Sequence, residues 1–136
     1  MKLSDNIANW IGIQIEQARA EGIVLGLSGG IDSSVVAALS RKAVGDKVLG
    51  LIMPCGGSSM DEENALLVAS QLGIKTEQIN LEAVYRGLLE VLPSGNKLAL
   101  ANLKPRLRML TLYYYANNLN YLVAGTGNKS EIMVGY

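Results

Sequence analysis

The sequence predicts an α/β domain with an open, mostly parallel sheet and helices on both of its faces. Two observations predict it. Short apolar segments alternate with longer stretches of helical spacing along the whole chain. The apolar segments are also unbroken rather than alternating, as Val24-Leu25 and Val48 to Met53 show, which is the pattern of strands covered on both sides. A length of 136 residues fits one domain, residues 1–136, and 49% hydrophobic composition can fill its core.

The elements follow in order. Ile7, Ile11, Ile15 and Ala18 fall at helical spacing, and Ser4 is an expected N-cap. Gly22 to Leu27 reads as a buried strand, Ser28 to Ser34 as a loop, and Val35 to Val44 as a helix. Lys47 to Met53 is a second strand, followed by a Gly/Ser-rich loop from Pro54 to Met60. Asp61 to Leu72 is a helix with three carboxylates in its first turn, where the helix dipole favours them, and Gly73 stops it. Lys75 to Leu81 is a more polar strand and so belongs nearer an edge; Glu82 to Leu92 is a helix ended by Pro93-Ser94-Gly95. Leu103 to Asn117 is a long helix, with Leu103, Leu107, Leu110 and Tyr114 as its core stripe and Tyr113 and Asn117 turned toward a partner chain. Tyr121 to Ala124 is a fourth strand; no closing strand or helix is expected after it, so the domain reads as incomplete at its C-terminal end.

Composition narrows the chemistry. Twelve basic and twelve acidic side chains cancel, which argues against a nucleic-acid partner. One cysteine, Cys55, permits no internal disulfide and suits a reducing cytoplasm. There is no histidine, so Ser-His and Cys-His nucleophiles and imidazole metal sites are excluded. The first 22 residues lack the pattern of a signal peptide, and no apolar run approaches the roughly 20 residues of a membrane span. A cytoplasmic protein without membrane contact is expected.

The strongest motif is Ser28-Gly29-Gly30-Ile31-Asp32-Ser33-Ser34, set between a strand and a helix. There, backbone N–H groups converge with a helix N-terminus and cradle phosphate oxygens. Gly29 and Gly30 allow the turn and the close approach; Ser28, Ser33 and Ser34 add hydroxyl donors. Asp32 would be repelled by bare phosphate, so its expected task is to hold Mg²⁺ against it. The spacing is neither that of a Walker A loop nor that of the dinucleotide fingerprint. A generic Gly/Ser turn is the alternative.

Ser-Gly-Gly-x-Asp-Ser resembles the signature of the ATP pyrophosphatases (the PP-loop superfamily). Within it, Asn102 to Met109 and Gly125 to Glu131 resemble the ammonia-dependent NAD synthetases, over nearly all of the chain from Gly22 onward. The resemblance implies amidation of deamido-NAD by ammonia through an adenylated intermediate, with ATP as co-substrate, Mg²⁺ as cofactor, and a homodimer. It implies that Asn102 and Arg106 contact deamido-NAD, with Lys129 beside them. It further implies that Thr126 contacts ATP, that Met53 lies where adenine is cradled, and that Glu131 joins Asp32 as a metal ligand and catalytic residue. Family segments with Phe-Thr-Lys and Gly-Asp-Gly-Gly have no counterpart before Tyr136.

Physical chemistry leaves some of these positions open. Arg106 and Arg108 at a helix start offer a cationic fork for phosphate or carboxylate, while Lys104 and Arg108 read equally as a solvated face. Ser58, Ser59 and Asp61 either close over the nucleotide or cap a helix. Cys55 has no base to activate it. With no Cys-His pair for a glutaminase, ammonia must arrive free or from another protein. The rival functions are a GMP synthetase-like or tRNA-modifying adenylating enzyme, and a non-catalytic ATP-binding module.

Overall fold

The computed structural model describes residues 2–56, 59–126 and 132–135. Among these residues five strands form one sheet in the order β3-β2-β1-β4-β5. They are β1 (Gly22–Gly26), β2 (Val48–Ile52), β3 (Lys75–Gln78), β4 (Tyr121–Thr126) and β5 (Ile132–Gly135). β1 to β4 are parallel, with Ile23 opposite both Val48 and Leu122. β5 runs antiparallel to β4, so the sheet is mostly parallel, as the sequence predicts. The polar strand β3 lies at an edge, also as expected.

Two apolar layers explain the unbroken strands. Ile23, Leu25, Val48, Ile52, Leu122 and Ala124 face one cluster; Val24, Leu51 and Val123 face the other. Successive strand residues point to opposite faces, so burial of both faces demands apolar side chains at every position. Helices α1 (Leu3–Ala18), α2 (Ile31–Val44) and α3 (Ser59–Leu72) supply the first cluster. Helices α4 (Glu82–Val91) and α6 (Leu103–Leu119) supply the second, and the short α5 (Lys97–Ala101) leads into α6.

Several local expectations are corrected. α1 buries Ile11 and Ile15 as its spacing predicts, but its N-cap is Lys2 and Ser4 caps nothing; the Ser4 hydroxyl instead takes a hydrogen bond from Lys42 Nζ at 3.2 Å. α2 begins at Ile31, not Val35, because Gly30 is already its extended N-cap. α5 arises where no element was expected, with Asn96 Oδ1 accepting from the Ala99 amide at 2.8 Å. β5 is a closing strand where none was expected; it extends the hydrogen-bonding edge that β4 would otherwise leave open.

The long helix is turned differently from the expected stripe. Leu107, Leu112 and Ala116 are buried, and Tyr113 packs against their cluster. Leu110 is 69% exposed and Tyr114 68%. Both sides of α6 are apolar, so periodicity does not choose between them. Polar ties do: Lys104 Nζ sits 5.0 Å from the Tyr85 ring centroid, and Arg108 Nε donates to the Met53 carbonyl at 3.0 Å. The Tyr115 hydroxyl lies beside the Glu77 carboxylate, which together with burial raises its pKa above the usual tyrosine value. Positions 104, 108 and 115 share one side of a helix and set its rotation.

Candidate functional site

β1 delivers the chain to Ser28 at the carboxyl end of the sheet, beside the switch point between β1 and β4 where open α/β sheets bind ligands. Gly29 adopts φ +82°, a left-handed conformation that favours glycine. A Cβ there would lie 2.8 Å from Asn64 Cβ and 3.0 Å from the Asp61 carbonyl. The loop is therefore pressed against the first turns of α3, and only glycine fits.

Gly30 makes no side-chain cap, so the first amides of α2 have no capping acceptor. The hydroxyls around them bond one another. Ser34 Oγ donates to the Gly30 carbonyl at 2.7 Å and Ser33 Oγ at 3.2 Å. The Ser28 and Ser33 hydroxyls lie 3.2 Å apart, and the Ser28 amide donates to Ser33 Oγ at 3.3 Å. Positive dipole, amides without a capping acceptor and exchangeable hydroxyls together suit an oxyanion of high charge.

This loop opens into a cleft of about 460 Å³, within the usual range for a small-molecule site. Ser28 and Ser33 line it at one end. Met53, Pro54 and Cys55 form an apolar wall after β2; Pro105, Arg108, Met109 and Leu112 of α6 form the other, and Ala124 and Gly125 close the β4 side. Asp61 and Glu62 stand at the start of α3 on the same cleft.

The predicted site residues divide accordingly. Ser28, Ser33 and Met53 line the cleft. Gly29, Gly30 and Ser34 shape the loop without lining it. Asp32 is exposed in the first turn of α2, outside the cleft wall. Asn102 is the N-cap of α6, and Arg106 is exposed one turn later. They share a face with Met109, but they do not line the cleft. The expected Arg106–Arg108 fork does not form, because side chains two apart on a helix diverge; Arg108 turns in and Arg106 out. Thr126 is the last residue of β4; Lys129 and Glu131 lie outside the described residues.

Sequence reasoning missed Glu62, Pro105 and Met109, and set Cys55 aside although it is 1% exposed on the apolar wall. The available signal was spacing: Pro105 and Met109 stand four apart in the motif that contains Arg106, on one helical face. Among the described residues, no three His, Cys, Asp or Glu side chains cluster as a metal site. An exposed carboxylate at the head of α2, next to amides suited to phosphate, does fit Mg²⁺, which takes one or two carboxylates and completes its shell with water and phosphate oxygens.

Comparison with known proteins gives the family. The family model described as NAD synthase matches residues 3–136. The NH(3)-dependent NAD(+) synthetase of Carboxydothermus hydrogenoformans is 49% identical, over 98% of this chain and 57% of its own length. The NH3-dependent NAD synthetase of Campylobacter jejuni, solved with a nitrate ion, superposes with a TM-score of 0.86 at 31% identity, over 93% of this chain and 56% of that one. The NMN synthetase of Francisella tularensis gives 0.82 at 34% identity, over 88% and 51%. The chain thus spans a little over half the length of these relatives, and it belongs to the NAD synthase family.

Proposed function

We propose that this domain binds ATP and deamido-NAD and supports formation of NAD with ammonia, as a cytoplasmic ligase. The observation that carries the reading is the glycine-turned loop with its amides lacking a capping acceptor, opening on an apolar cleft of nucleotide size. The triphosphate runs from the loop, and adenine lies against Met53 and Pro54. Asn102, Arg106 and Lys129 hold deamido-NAD.

A nicotinate carboxylate oxygen attacks the α-phosphorus of ATP; the bond to the β-phosphate oxygen breaks and pyrophosphate leaves. Loop amides and the Ser28, Ser33 and Ser34 hydroxyls stabilise its charge. Neutral ammonia then adds to the acyl carbon, loses a proton, and AMP departs with the former carboxylate oxygen. Ammonia is nucleophilic when neutral, so the lack of histidine is no obstacle. Asp32, with Glu131, would hold Mg²⁺, which when bound supplies charge neutralisation at the phosphates. Thr126, at the end of β4, adds a contact to ATP. The chain's own contribution is positioning and charge stabilisation.

A second copy covers the outer apolar face, where Val84, Leu98, Leu110 and Tyr114 are all more than half exposed. The partners in this reading are small molecules and that second copy, not nucleic acid or membrane. Among the described residues no helix is long and apolar enough to cross a membrane.

Likeness to the NMN synthetase favours a second reading, in which the acid amidated is the mononucleotide. Mass spectrometry of reactions with ATP, Mg²⁺ and ammonium, given each acid in turn, decides between them. NAD and AMP from deamido-NAD alone support the first reading; NMN from the mononucleotide supports the second. Neither product from this chain or from a chain of its relatives' length removes both. Asp32→Ala is expected to abolish turnover with an unchanged circular dichroism spectrum, and full activity in that variant removes the metal assignment.

A further inference from the structure

The β1–β2 ladder ends at the cleft, where Leu27 lines it. Its hydrogen bonds run from the Ile23 amide to the Lys47 carbonyl and from the Leu27 amide to the Leu51 carbonyl, each at 2.9 Å. Continuing that register, the Gly29 amide would reach the Met53 carbonyl, but Gly29 has turned into the phosphate loop with φ +82°. On the other side of β2, the Ile52 and Pro54 carbonyls are taken by the Ile79 and Leu81 amides at 2.9 and 2.8 Å. Met53, 7% exposed, would be left with a buried carbonyl lacking its partner, which is costly. Arg108 Nε fills the missing rung at 3.0 Å.

We infer that Arg108 is a positioning residue for the base of the bound nucleotide: it holds the Met53-Pro54 backbone, the wall of the cleft beyond the phosphate loop, in register with α6. This rests on the reading of the cleft as an ATP site. The divergence of β1 that creates the phosphate loop also removes the strand that would have fixed the adjoining wall, and a helix side chain replaces that strand. A charge-assisted hydrogen bond to this carbonyl is strong enough to do so. Arg108 and Met53 both line the cleft, so slack in one shifts the surface against which the base lies. The phosphate loop, braced by Gly29 against α3, does not depend on this bond.

The inference predicts a split between the two ends of the nucleotide. Calorimetric titration of this chain with ATP and, separately, with inorganic pyrophosphate reads it directly. Arg108→Met keeps an unbranched stem as far as the position of Nε and removes the donor; it is expected to weaken ATP about tenfold, the order of one charge-assisted hydrogen bond, and to leave pyrophosphate binding unchanged. Arg108→Lys retains a donor and is expected to recover most of the ATP affinity. Equal ATP binding by native chain and Arg108→Met overturns the inference while leaving the ATP site standing. Parallel loss of both ligands in Arg108→Met and in Arg108→Lys also overturns it, since that is general loosening. A native chain that binds neither ligand overturns the ATP reading and this inference with it.

Discussion

The Ser28–Ser34 loop and helix α6 flank the same cleft, yet they are specified in opposite ways. In the loop, conformation and chemistry lie in adjacent residues. Gly29 takes a left-handed φ, Gly30 ends the turn as N-cap, and Ser33 and Ser34 bond back to the Gly30 carbonyl. In α6, Leu107 and Leu112 are buried while Leu110 and Tyr114 are exposed, although all four are apolar or aromatic. Its rotation comes from partners distant in sequence: Tyr85, Met53 and Glu77. A motif with local causes can be read from a short string; a helix apolar on both sides cannot be oriented without its neighbours.

Substitutions can break this contrast. The largest effect is expected from Gly29→Ala, because the added Cβ meets both a disfavoured backbone conformation, at about 1–2 kcal/mol, and the α3 backbone at 3.0 Å. ATP affinity should fall more than about tenfold, with a lower unfolding midpoint. Unchanged calorimetric affinity would mean that the loop is less locally determined than its geometry indicates. Leu112→Ala, on the inner side of α6, should cost about 2–4 kcal/mol in urea unfolding through the cavity it leaves, and should weaken ATP because Leu112 lines the cleft.

Leu110→Asp tests the other side of the helix. On an exposed face it should change the stability of the folded protomer by no more than about 0.5 kcal/mol. If a second copy covers that face, sedimentation velocity should show a shift to monomer. A stability loss as large as that of Leu112→Ala would show that the two sides of α6 are not distinct.

The smallest effect lies far from the cleft. Asp5 forms an ion pair and hydrogen bond with Lys42, tying α1 to α2, and its pKa is lowered, chiefly by that hydrogen bond. Because the folded value is depressed, the stabilisation is present above the ordinary aspartate range and is lost as pH falls through the lowered value. Asp5→Asn should remove this small acid-side slope from denaturation midpoints measured across pH. The pair is exposed and screened, so salt should remove it too. A native slope retained in the variant would assign it to other carboxylates.

Sequence alone determined the α/β class, the placement of strands at 22–27, 47–53 and 121–124, and the glycine-rich turn between the first strand and α2. Each follows from period, turn chemistry or burial on both faces, and these are properties of neighbouring residues. α5 escaped notice because a five-residue helix has too few turns for periodicity to register, although Asn96 marked its start. β5 escaped because a four-residue strand is recognised by the partner it pairs with. Only the tertiary structure decided which side of α6 turns inward, that Arg106 and Arg108 part company, and that Arg108 supplies the rung β1 gives up. The physical reason is the same in each case. These features depend on which polar group lacks a partner once strands and helices have packed, and that is settled by residues dozens of positions away.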